Sequence, residues 1–199
     1  MSTSAQIQGL STSACAHFGS CPDSAGAKPL HTAEGLDASL KIAERHLAMA
    51  EKLLTEVVAR EEKFWNFMSA ENLWGLSARL TDDGRPFSAM EVDSLYEYRS
   101  ELRTIIEGIR SVIKSCEAGV EPPVKSPLVQ AFMSSPYALP LTSEMGAETL
   151  ARMANGAAKF AGGFGLPRLS SAIAEDAASA LTDDCSKEIL RDGMPGWFT

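Results

Sequence analysis

The sequence predicts an all-α fold, and three observations carry that expectation. Two long stretches place apolar residues at alternating steps of three and four. No segment alternates apolar and polar residues with period two, the pattern of a half-buried strand. Between the helical stretches the chain is punctuated by Asp-Gly, Pro and Gly-rich breakers.

Residues 1–32 come first and are expected to be a disordered arm. Seven of the first twenty residues are Ser or Thr, and no apolar period is sustained. Such a segment cannot bury enough apolar area to offset the entropy of ordering it.

The pattern changes at Leu36. Leu36, Leu40, Ala43, Leu47, Ala50, Leu54, Val57, Glu61, Phe64 and Met68 form a heptad stripe in which Leu alternates with Ala, so that a neighbouring helix can approach closely. Thr32 is a suitable N-cap, with Glu34 in the first turn. The stretch Thr81-Asp82-Asp83-Gly84-Arg85-Pro86 carries stop signals. A second helix is expected from Ala89, because Ser88 and Glu91 have capping-box spacing and Phe87 and Val92 occupy hydrophobic-staple positions. Its stripe is Val92, Leu95, Arg99, Leu102, Ile106, Ile109, Ile113 and Cys116, ending near Ala118-Gly119.

A short connection between long helices makes them antiparallel neighbours, so residues 33–118 are expected to form a helical hairpin. Each stripe holds one charge, Glu61 and Arg99. Reflection about a turn near residue 84 sets Glu61 nearer to Arg103 and Arg110 than to Arg99. A Glu61–Arg99 pair requires the first helix to stop early, near Ser69 to Asn72.

Residues 119–142 form a Pro-rich connection with room for one short helix, Pro127 to Met133, led by Ser126 as cap. Residues 143–199 are expected to form a C-terminal helical subdomain. Its first helix is capped by Thr142 or Ser143 and presents Met145, Leu150, Met153, Ala157 and Phe160 on one side. It breaks at Gly162 to Gly165, a hinge or helix corner. A further helix spans Leu166 to Leu181, and Asp183 caps a last one reaching about Arg191.

Composition narrows the function. The 199 residues are 45% hydrophobic and 22% charged, ordinary values for a chain that builds one core without metal or disulfide staples. The net charge of −8, with Lys and Arg scattered among acids, argues against a nucleic-acid partner. Met1 to Pro22 lacks the basic start of a Sec signal, and the apolar stretch from Met153 to Leu166 is interrupted by Lys159 and Gly162–Gly165. No transmembrane helix is expected. The default compartment is cytoplasmic, with Cys15, Cys21, Cys116 and Cys185 as free thiols. The Ser/Thr-rich start also suits export by a non-Sec route.

No reaction is fixed by a motif, and neither a cofactor nor catalytic residues are expected. Cys15, His17, Cys21 and His31 are zinc-competent ligand types, but their spacing matches no known knuckle and suits a tail equally well. The Glu-x-x-His pair of a di-iron bundle is missing. His46 flanks the stripe and reads as a rim histidine. Phe64, Trp65, Phe67 and Trp74 crowd one short stretch, and Trp197 and Phe198 follow a helix-breaking run. An exposed remnant of these aromatics marks a partner site, with Trp65, Trp74, Trp197 and Phe198 as candidates.

Three functions follow as expectations. The first is a non-catalytic helical interaction module, an adaptor or assembly factor that binds another protein or a second copy of itself. The second is a secreted bacterial effector acting on a host protein. The third is an enzyme with its site near the Gly162–Gly165 corner.

Overall fold

A computed structural model describes residues 33–71, 87–138 and 147–180. The described chain is all-α, and no strand occurs among the described residues. Helix α1 (Ala33–Ala70) and helix α2 (Phe87–Glu117) form the expected antiparallel hairpin. Helix α3 (Pro127–Met133) crosses α2, a 3₁₀ turn (Pro136–Ala138) follows, and α4 (Ala147–Gly163) and α5 (Pro167–Ala180) pair with each other. Helix α5 returns to α1, so the later elements build a second layer on one face of the hairpin. The expected arm, the Thr81–Pro86 boundary, the caps Thr32, Thr142 and Ser143, and the helix after Asp183 lie outside the described residues. No described helix is long and apolar enough to cross a membrane.

The seam of the hairpin holds the residues that the heptads select, with one systematic shift. Leu36, Ala43, Ala50 and Val57 on α1 and Leu95, Leu102, Ile109 and Cys116 on α2 are fully buried. The companion column is displaced by one residue. Ser39 and His46 are buried whereas Leu40 and Leu47 are only partly so, and further along Leu53 and the expected Leu54 are both buried. On α2, Tyr98, Ile105 and Val112 are more deeply buried than Arg99 and Ile113. The heptad period reports one contact face, and the second layer adds a face beside it that widens the buried stripe. The seam is filled within a single chain.

The register differs from a turn near residue 84. Glu44 pairs with Arg110 at 2.7 Å and Glu51 with Arg103 at 2.8 Å, and both pairs reflect about position 77. Helix α1 stops at Ala70, the early stop that a Glu61–Arg99 pair requires, yet those two do not meet. Glu61 instead accepts a hydrogen bond from Trp65 Nε1 at 3.3 Å on its own helix, and Arg99 lies over the Tyr96 ring at 5.0 Å.

Helix α2 begins at Phe87, two residues before its expected start, so Ser88 is helical rather than a cap. The staple does not form: Phe87 is 72% exposed while Val92 is buried. Helix α3 has the expected bounds, with Pro127 at its first position and the Ser126 carbonyl accepting from Gln130. Ser126 caps with its backbone alone. Leu150 of α4 is exposed, and Ala151, Ala154, Ala158 and Ala161 line the buried side instead. Small side chains here and at Ala174, Ala177 and Ala178 of α5 let the two helices lie close together.

The Gly162–Gly165 stretch is a corner between these helices. Leu166 N–H donates to Ala161 and Gly165 N–H to Gly162, the paired bonds of a Schellman cap, with Gly165 at φ +73°. Gly119 ends α2 in the same way. Cys116, expected as a free thiol, is disulfide-bonded, with its partner outside the described residues.

Gly108 sets how closely α3 approaches α2. A Cβ there would lie 2.2 Å from the Leu128 carbonyl oxygen and 2.9 Å from the Phe132 Cβ. Because the obstacle is backbone, no rotamer change relieves it. Gly108→Ala is expected to cost ~3 kcal/mol by overpacking. About 1 kcal/mol returns as helix propensity, for a net loss near 2 kcal/mol. Urea denaturation checks this, and an unchanged or raised midpoint would show that α3 does not dock there.

Candidate functional site

Three places in the fold gather chemically capable side chains: a buried polar junction, a surface groove beside α3, and the far end of the hairpin.

The junction forms because the second layer covers the displaced column. The 3₁₀ turn packs among α1, α3 and α4, and Tyr137 within it is completely buried. Its carbonyl accepts from Ser39 Oγ at 3.0 Å, and its hydroxyl lies 2.8 Å from His46 Nδ1. We assign the imidazole proton to Nε2, which lets the Tyr137 hydroxyl donate to Nδ1. The buried Tyr98 hydroxyl influences the ionisation of Tyr137 but makes no well-formed hydrogen bond among the described residues. His46 is therefore a core histidine rather than a rim one.

Burial pushes His46 down to about 4, against the pull of the Asp176 carboxylate and helped by the neighbouring Arg45. Asp176 itself is held by Arg45 across the α1–α5 interface. Burial raises Tyr98 to about 12 and moves Tyr137 well above the ordinary phenol range. At neutral pH all three are uncharged, so the junction is a neutral hydrogen-bonded contact. As a catalytic centre it would need an open path to a substrate, and His46 is only 3% exposed.

The groove lies on the outer face of α2, with a volume of about 330 Å³. Tyr96, Arg99, Ser100 and Thr104 line it from α2, and Leu128 closes it from α3. Arg103 and Glu107 border it, each already engaged, with Glu51 and with Arg110 at 2.6 Å respectively.

At the far end of the hairpin, Glu91 receives Arg60 from α1 and Arg168 from α5, the latter at 3.7 Å. This ion cluster marks the N-terminal end of α5 on the hairpin. Phe67 lies seven residues beyond Arg60, and Phe87 lies four residues before Glu91. Each therefore continues the same helix face outward, past the cover of α5. Phe67, Phe87 and Met90 are 56%, 72% and 49% exposed. Trp65 stands beside them, half-buried, with its ring edge-on to Phe64 at 5.3 Å.

Of the sequence candidates, Trp65 reaches this end, while Trp74, Trp197 and Phe198 lie outside the described residues. So do Cys15, His17, Cys21 and His31. Among the described residues no group of three or more His, Cys, Asp or Glu side chains is placed to hold a metal. The Gly162–Gly165 corner is packed by the rings of Tyr98, Phe160 and Phe164, whose centroids are 5.2–5.6 Å apart. Sequence reading missed Tyr137 and Phe87. Phe87 carried a misleading staple signal, and Tyr137 stands between two prolines with no period to place it. The search for similar proteins finds no matching family, curated protein or solved structure.

The junction predicts a pH dependence. The unfolded chain binds a proton at His46 near pH 6.5 and the folded chain only near 4. Stability from this residue is thus complete above pH 6.5 and falls as the pH drops toward 4, by about 3 kcal/mol in all. Denaturation of the wild type and His46→Leu at several pH values checks this. The variant should lose that part of the slope, and equal slopes would show that His46 is solvated.

Proposed function

We propose that the protein is a non-catalytic helical module that binds another protein through the exposed aromatic end of its hairpin. The observation that supports this reading is the group of exposed large apolar side chains at one end of the hairpin, where Phe67, Phe87 and Met90 stand in solvent beside the buried Met68 and Ala89. Large apolar side chains grouped at one end, beside charged rims such as the Arg60–Glu91–Arg168 cluster, have the composition of an interface core. These side chains already stand exposed at the end of the packed helical body. A second copy of the chain or a different protein would meet the same surface.

Photocrosslinking from p-benzoylphenylalanine at position 67 or 87, in the cells that express the protein, tests the reading. Discrete adducts are expected from both positions and none from the control position Lys63. Replacing Phe67 and Phe87 together by Ser should abolish adducts formed from position 64, while the stability of the purified protein changes by less than about 0.5 kcal/mol. A core-type loss of stability would instead mean that these rings pack within the chain.

A second reading, export by a non-Sec route to act on a host protein, draws support from the Cys116 disulfide. Structural disulfides persist mainly in oxidising compartments. Fusing residues 1–30 to a reporter tests it, and a reporter retained in the cell would remove it.

A further inference from the structure

The groove beside α3 is separate from the aromatic end, and its chemistry points to one kind of occupant. Arg45, Arg60, Arg103, Arg110 and Arg168 each pair with a carboxylate. Arg99 does not, among the described residues. Its contact is the Tyr96 ring, with the guanidinium carbon 5.0 Å from the ring centroid. A cation held over an aromatic face keeps its N–H donors free for an anion. Arg99 is partly buried, and a guanidinium with unused donors is a receiver for a planar anion.

The surroundings narrow the choice. Glu107, the acid that borders the groove, is engaged by Arg110 at 2.6 Å, so it does not neutralise Arg99. Thr104 donates back to the Ser100 carbonyl within α2 at 3.1 Å, which removes one hydroxyl donor from competition. Leu128, 40% exposed, and Tyr96, 47% exposed, supply apolar walls. A volume near 330 Å³ suits a few side chains rather than a whole domain. The chain carries a net charge of −8, so an acidic partner is repelled at long range and must be selected at contact.

We infer that this groove docks an acidic segment of another polypeptide, with Arg99 receiving a carboxylate side chain and Leu128 and Tyr96 flanking an aliphatic neighbour. The carboxylate meets the guanidinium edge, the two-point geometry that Arg favours over Lys.

Fluorescence anisotropy with the full-length protein tests this, using a labelled peptide of repeating Leu-Glu-Glu and its Leu-Gln-Gln counterpart. The Glu peptide should bind at least about tenfold more tightly, as a charge-assisted hydrogen bond implies. Arg99→Met, which keeps the apolar stem, should erase that preference without altering the helical content. Arg99→Lys should retain part of it, and the Phe67→Ser, Phe87→Ser double variant should bind like the wild type, which keeps this result separate from the hairpin end. Equal affinity for the two peptides, no saturable binding of either, an unaffected Arg99→Met protein, or full displacement by millimolar inorganic phosphate would each overturn the inference.

Discussion

Tyr137 joins the two layers, and most of what distinguishes this structure from a plain helical hairpin follows from its burial. Its ring lies beside the His46 imidazole at 5.8 Å between centroids, its carbonyl is taken by Ser39, and its hydroxyl is taken by His46. A buried phenol without a partner would cost on the order of 1–3 kcal/mol, so the imidazole acceptor is part of what lets the aromatic area be buried. With Tyr137 seated, the 3₁₀ turn rests on α1 between α3 and α4, and α4 reaches α2 through the Phe160–Tyr98 ring contact. The burial of Ser39 and His46 and the neutral state of His46 go with that contact.

The ion pairs have a different role. Those between Arg110 and Glu44 and between Arg103 and Glu51 join substantially exposed side chains, and each contributes at most about 1 kcal/mol. That is small beside the burial of the Leu, Ile and Val residues in the seam, at roughly 2 kcal/mol for each side chain. Their value is geometric, because they mark which residue of α1 faces which residue of α2. Arg45–Asp176 and the Arg60–Glu91–Arg168 cluster mark the placement of α5 in the same way. The charges that find no place in this arrangement are informative for the same reason. Arg99 stands one position past the buried column, too far round α2 to enter the core, and pairs with no carboxylate among the described residues.

The binding surfaces proposed for this protein both arise at limits of the second layer. At the far end of the hairpin the inner face stays buried at Met68 and Ala89, while the flank beyond Arg60 and Glu91 carries Phe67 and Phe87 into solvent as the aromatic end. Helix α3 is short and crosses α2 closely at Gly108, so the outer face of α2 is left as a groove wall rather than an interior.

The amino-acid sequence by itself determined the class of fold and the position of most helices. Periodic burial of Leu36, Ala43, Ala50 and Val57 against Leu95, Leu102 and Ile109 is written in the spacing of those residues, and Pro127 and Gly165 mark local backbone requirements that neighbours hardly alter. Tertiary structure decided the register, the width of the buried stripe and the identity of the exposed aromatics. Register depends on the length of the connection and on which charges face each other across space, neither of which has a local signature. His46 and Tyr137 stand 91 positions apart. A polar residue in a stripe reads as solvated until a distant partner is brought to it. Only the folded chain makes that contact, and only the folded chain reveals that Phe87 has nothing to staple.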